Sequence, residues 1–267
     1  MNSLRARPRS PLLASLVKSF HYHESDFPFM LERIVPNGQA HLMVNLAEDE
    51  FRTYDAARTD RMSCHSGSVL AGPHGRPTVL DTREQRWLVA VEFRCGGASP
   101  FFAMPMAEAC NQVVPLDDLW GVTFLREKLL EAPTPALKFR VLEETLLQRC
   151  VPRLDRAVTY AVAALKGGMP LAELTAKLGL LPRTLERRFS AQVGITPKRF
   201  ARVQRLQRVL RAVRRSPNAD WCSLAVQYGY CDQSHMVHEF RDLAGITPAG
   251  YTPHSPQRSS HIPIASN

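Results

Sequence analysis

The 267-residue sequence has no apolar run approaching the roughly eighteen residues of a membrane-spanning helix, which excludes a helical membrane protein. Its nearest approach to a leader is Arg5, Arg7 and Arg9 followed by Leu12–Val17. That apolar stretch of about six residues stops at Lys18, too short for a secretory signal. Residues 1–19 are therefore expected to be a flexible arm on a cytoplasmic protein that does not enter membranes. Six scattered cysteines (Cys64, Cys95, Cys110, Cys150, Cys222, Cys231) include no C-x-x-C pair and no histidine at zinc-finger spacing. Reduced, mostly buried thiols are expected rather than a disulfide or zinc framework.

Charge is abundant but uneven. Between Arg153 and Arg258 there are 17 Lys and Arg against 7 Asp and Glu, a net of +10, while the rest of the chain stands at −1. So basic a segment wants a polyanion, with nucleic acid first. The length fits two domains of ordinary size. From Phe20 to Arg94, short apolar runs such as His41–Leu46, Ser68–Ala71 and Trp87–Phe93 are separated by turn formers at Pro36-Asn37-Gly38 and Gly72-Pro73-His74-Gly75. That pattern predicts a β-rich barrel or sandwich over residues 20–110. A helical connector over 111–152 follows, with one helix at Val122–Leu130 and another at Ala136–Gln148, capped by Thr134 with Pro135 at its first position.

Beyond Arg153 the pattern is helix and short turn. Helices are expected at Arg153–Lys166, Leu171–Leu178, Pro182–Gln192, Pro197–Arg214, Trp221–Tyr228 and Gln233–Ala244, with breaks at glycines and at Ser216-Pro217-Asn218. A last turn starts at Pro248, and 253–267 reads as a disordered tail. The fold class is thus α+β, an N-terminal β-rich domain with a C-terminal all-α domain.

An internal repeat carries the functional argument. Gly194-Ile195-Thr196-Pro197 recurs as Gly245-Ile246-Thr247-Pro248, Phe189 matches Phe240, Phe200 matches Tyr251, and Leu174, Leu178 and Gly179 match Leu224, Tyr228 and Gly229. Each copy is a short helix ending in glycine, a tight turn, and a second helix with one apolar face: Leu185 and Phe189 in the first, Met236 and Phe240 in the second. That is helix-turn-helix grammar. The G-I-T-P segment that follows has a structural role, in which threonine caps the next helix, proline fills its first position, and isoleucine staples onto the aromatic.

These residues resemble the AraC/XylS family of bacterial transcription regulators. The resemblance rests on L-A-E-L-T-A-K-L-G-L-L-P-R-T-L-E-R-R-F at Leu171–Phe189, G-I-T-P-K-R-F at Gly194–Phe200 and Y-G-Y-C-D-Q-S-H-M-V-H-E-F at Tyr228–Phe240. It covers about a hundred residues and places the DNA-binding domain at 153–252. The preceding part, with G-P-H-G-R-P at Gly72–Pro77 and V-P-L-D-D-L-W-G at Val114–Gly121, looks like a domain often fused to such regulators.

The resemblance implies two recognition helices entering successive major-groove segments on one side of double-stranded DNA, bridged by a long helix. Eighteen residues from Pro197 to Arg214 span roughly 27 Å, somewhat under one DNA turn. Arg183, Glu186 and Arg187 in the first recognition helix, and Gln233, Ser234, Val237 and His238 in the second, are the expected base readers. Arginine suits guanine, glutamate cytosine, and glutamine adenine. Thr184, Arg188, Lys198, Arg199, Arg202 and His235 are the expected phosphate contacts; Arg205, Arg208 and Arg211 are expected to be solvated. Two residues depart from the family pattern. Leu181 stands where a serine usually caps the first recognition helix, and Thr175 where a small alanine is usual.

A cupin-like metal enzyme is the competing reading for the N-terminal domain, through His21, His23, His41, His65 and His74. It fails because Phe27 and Pro28 stand where the glutamate after H-x-H belongs. A repair methyltransferase would need a P-C-H-R-like cysteine, which the chain lacks. No enzyme activity, metal or cofactor is expected. The N-terminal domain is read as a sensor or dimerisation module, with Trp87 and Phe93 as core or pocket residues. The partners left open are a small-molecule effector, a second copy of the chain and RNA polymerase.

Overall fold

A computed structural model describes residues 2–55, 61–216, 220–252 and 260–264. Residues 253–259 and 265–267 of the expected tail, with Pro217 and Asn218 of the expected helix break, lie outside these.

The chain opens with β1 (Asn2–Ala6), α1 (Pro11–Leu16), β2 (Val17–Glu24), β3 (Leu31–Ile34), β4 (His41–Asn45), β5 (Glu50–Tyr54) and β6 (Met62–Ser66). It continues through β7 (Ser68–Ala71), β8 (Thr78–Asp81), β9 (Trp87–Phe93) and β10 (Val113–Pro115). Then come α2 (Leu116–Trp120), α3 (Leu125–Glu131) and α4 (Pro135–Arg149). The helical domain comprises α5 (Arg156–Gly167), α6 (Leu171–Leu178), α7 (Pro182–Val193), α8 (Pro197–Arg215), α9 (Trp221–Gln227) and α10 (Gln233–Ala244), and β11 (His261–Ile264) follows it.

Two sheets form the N-terminal domain, one ordered β1-β2-β9-β4-β7-β10 and the other β11-β3-β8-β5-β6, with antiparallel pairing throughout. The expected α+β class, a β-rich domain followed by an all-α domain of two helix-turn-helix units, is what the chain forms.

Three expectations about the ends and the middle are corrected. Residues 2–19 of the expected arm are not loose: β1 pairs with β2 from Asn2↔Glu24 to Ala6↔Phe20, and Leu13 and Leu16 of α1 are buried. The supposed connector belongs to the N-terminal core, because Leu116, Leu125, Leu129, Leu142 and Leu146 pack into one cluster with Phe20, Val91 and Phe93. The described part of the tail is a strand, β11, paired with β3.

Phe93 is core, while Trp87 is half-buried with the Lys138 ammonium 5.3 Å from its ring centroid. Lys138 is itself buried and donates to the Leu129 and Ala132 carbonyls at the C-terminal end of α3. The cysteines are free thiols, but none is fully buried: Cys64, Cys222 and Cys231 are exposed and the others intermediate. Cys64 lies on β6, Cys222 on α9 and the others in turns or loops, where Cys95, Cys110 and Cys150 pack partly against the cores.

Candidate nucleic-acid interface

The first unit is α6, a turn begun by Gly179 in the left-handed region (φ +61), and α7. Leu174, Leu185, Phe189 and Val193 pack with Val158, Ala161 and Leu165 of α5. That packing turns the opposite face of α7 outward, so Arg183, Glu186 and Arg187 are exposed and Thr184 is half-buried. Leu181 makes no side-chain cap and is 74% exposed, so α7 begins without the bond a serine would supply, worth about 1 kcal/mol. The departing Thr175 turns its hydroxyl back onto the Leu171 and Ala172 carbonyls of its own helix.

The second unit is α9, the Tyr228–Gly229 turn and α10. It is capped more completely. Asp220 accepts from the Cys222 and Ser223 amides at the start of α9, and Asp232 accepts from the His235 amide at 2.6 Å. Gln233, Ser234 and His238 are exposed, and Val237 is half-buried. The Cys222 thiol donates to Gln233 Oε1 at 3.1 Å, which fixes the first turn of α10 against α9.

The repeated G-I-T-P segments behave as expected. Thr196 accepts from the Arg199 amide to cap α8, and Ile195 shares a core with Phe200. Thr247 caps a short 3-10 turn at Pro248–Gly250, with Ile246 and Tyr251 packed beside Phe240.

Several basic residues expected at phosphates make hydrogen bonds within the protein. Arg188 donates from Nε to Asp155 Oδ2 at 2.5 Å; the same carboxylate caps α5, and this hydrogen bond holds it below its usual pKa. Arg199 donates to the Gly75 carbonyl at 2.7 Å and to Asp242 at 2.6 Å. Arg202 donates to Glu239 at 3.0 Å and to Asp242 at 2.7 Å.

The His235 ring accepts from the Cys231 amide and stands edge-on to Tyr230. Lys198 is exposed at the first turn of α8. Arg205, expected to be solvated, is paired with Glu239 at 2.6 Å and lies over the Tyr230 ring. Arg208 and Arg211 donate to the Lys166 and Gln207 carbonyls.

Glu239 is the hub that sequence reasoning missed. Its side chain is only 2% exposed, and Arg202 and Arg205 both reach it from α8. Its signal was legible as an acid one residue before the core Phe240, on an otherwise basic domain. Its partners, which lie on another helix, were not.

In the N-terminal domain no group of three or more His, Cys, Asp or Glu able to hold a metal exists among the described residues. His41 and His74 are both pushed down to about 4 by burial, and His65 is also lowered by burial. His21 lies 3.3 Å from Glu92, a carboxylate also bound by Arg5, Lys18 and Ser19. His23 faces the Ser25 carbonyl. His65 lies against the Thr53 hydroxyl and His74 against that of Thr78.

Residues 155–253 match a helix-turn-helix domain family, and residues 5–115 match a domain of unknown function. The XylDLEGF operon transcriptional activator 3 of Pseudomonas putida is 30% identical over 125 residues, 46% of this chain. The match spans 36% of that relative's length. Among solved structures, ToxT from Vibrio cholerae O395 is similar at 11% identity and a TM-score of 0.46, over 88% of this chain and 97% of that one. Another ToxT crystal structure is similar at 8% identity and a TM-score of 0.40, over 94% and 96%. The paired helix-turn-helix units at residues 155–253 are thus a helix-turn-helix domain of the AraC type.

Proposed function

We propose that the protein is a sequence-specific DNA-binding transcriptional regulator in which α7 and α10 read successive major-groove segments of one site. The observation that carries this is the pair of outward faces, Arg183, Glu186 and Arg187 on one helix and Gln233, Ser234 and His238 on the other, on a domain with a large basic excess. The nineteen residues of α8, which joins the two units, are roughly 28 Å long, somewhat under one DNA turn.

Thr184 and Lys198 serve phosphate, with Val237 placed for a thymine methyl. Arg188, Arg199, Arg202 and His235 act first as braces of the two units. Their contribution to DNA is to hold α7 and α10 at the angle that reading requires. RNA polymerase is the partner that such a regulator acts on. The N-terminal domain, packed on both units, is the place for an effector or a second copy of the chain.

Selection of binding sites from a random duplex library tests this. The expected result is an asymmetric bipartite site, richer in G·C under α7. Failure to enrich any sequence over the starting pool would overturn the proposal.

A further inference from the structure

The two helix-turn-helix units are fastened to the N-terminal domain by different parts of the chain. The first meets the loops that follow β7 and β9: Pro73 closes over Gly194, and the Met106 amide donates to the Ala191 carbonyl at 2.8 Å. At Gly194 φ is +93 and an added Cβ would lie 2.5 Å from the Pro73 ring, so only glycine allows that approach.

The second unit meets β3 and β11. Gln207 of α8 donates to the Pro36 carbonyl at 2.9 Å and reaches the Ser260 hydroxyl at 3.1 Å, while the Val35 amide donates to the Ser260 carbonyl at 2.8 Å. From there β11 runs antiparallel to β3, with His261↔Ile34 through Ile264↔Leu31 in register.

Ile262, 5% exposed, enters one core with Val35, Val203, Leu206, Phe240 and Leu243. Beside it His261 Nδ1 lies 2.7 Å from Glu32 Oε2, on a carboxylate with no exposed surface. An acid shut off from water holds its charge only with partners, and β11 brings one. A four-residue strand from the far end of the chain thus supplies backbone pairing, an apolar plug and a polar partner at one sheet edge.

We propose that β11 is a latch that fastens the second helix-turn-helix unit, and not the first, to the edge of the N-terminal domain's five-stranded sheet within the same chain. Without β11, β3 would be an edge strand with unpaired backbone groups. A short terminal strand can open locally at much lower cost than global unfolding. Because Ile262 shares its core with α8 and α10, opening uncovers their inner faces. The first unit keeps its own core of Leu174, Leu185, Phe189 and Phe200. The latch is a property of the free chain. Its consequence for DNA, a changed contribution of the half-site under α10, rests on the function proposed above.

Backbone hydrogen exchange without DNA tests the latch on four proteins: the full chain, a chain ending at residue 259, Ile262→Asp, and Ile262→Val as a control. Exchange in α10 and in the middle of α8 is expected to accelerate roughly tenfold or more in the truncated chain and in Ile262→Asp, with α7 unchanged and Ile262→Val like the full chain. Undiminished protection of α10 in both latch variants would overturn the proposal. So would equal acceleration of α7 and α10, which marks a general loss of stability. Protection of α10 that rises with protein concentration would assign the strand to a second copy and overturn docking within the chain. Failure of the full chain to bind DNA leaves these outcomes readable.

Discussion

Arg188 and Glu239 stand at the same position of the two repeated units, each one residue before the core phenylalanine, and carry opposite charges: Arg188 binds Asp155 beside α5, whereas Glu239 binds Arg202 and Arg205 on α8. In both cases the residue ties a recognition helix to the helix that precedes its unit. The repeat therefore keeps a role while inverting its chemistry.

Asp155 has two roles, capping α5 through the Ala157 and Val158 amides and holding Arg188. Asp155→Ala should lower stability by about 1 kcal/mol from the lost cap, with only a small addition from a solvent-screened ion pair. Thermal unfolding at neutral pH measures this. Asp155→Asn, which can still cap, should recover most of the loss.

Glu239 is buried, and its removal takes from Arg202 and Arg205 their shared acceptor, leaving Asp242 to the one and the Gly229 carbonyl to the other. Glu239→Ala should destabilise the second unit by about 3 kcal/mol or more, read as a lower urea midpoint. Binding to the selected DNA site should weaken as well, although the side chain faces away from the outer surface of α10. A variant with unchanged urea midpoint would contradict the hub role.

For base reading, Arg187→Ala and Gln233→Ala should each weaken binding to the selected site by roughly 1–3 kcal/mol and leave binding to random duplex nearly intact. Titrations by fluorescence anisotropy on both duplexes check this. Equal losses on the two would assign these residues to the phosphate backbone instead.

The stability should depend on pH through His41 and His74, both pushed down to about 4 by burial, with Arg76 adding to the shift at His74. In the unfolded chain they take up protons below about 6.5. Between that value and about 4 the unfolded state binds more protons than the folded one, so stability falls as the pH falls through this window. The loss is bounded at roughly 3 kcal/mol per histidine. Urea unfolding at several pH values should show it, and His41→Gln should flatten the slope.

Most of the helical domain was legible in the sequence because its signals are local. Glycine stops, Thr-Pro starts and the spacing of Leu185, Phe189, Met236 and Phe240 placed every helix within a few residues. The outward faces followed from the inward ones. The start of α5 was set three residues early because Asp155, not Arg153, supplies the cap. In the N-terminal domain Ser68–Ala71 and Trp87–Phe93 were found as strands, since both are runs of apolar and β-branched residues between turns. Strands β1, β3 and β11 were not, because Arg5, Glu32 and Pro263 break any alternating pattern and their pairing partners supply what the local sequence lacks.

By itself, then, the sequence determined two helix-turn-helix units with outward polar faces and a basic charge, since period, caps and composition are properties of neighbouring residues. Only the tertiary structure decided which arginines are paired within the protein. Arg188, Arg199 and Arg202 have the same spacing and charge as residues that face solvent. Asp155, Gly75, Glu239 and Asp242 reach them from distant parts of the chain, and an ion pair or a donated hydrogen bond depends on distance in space rather than on separation in sequence.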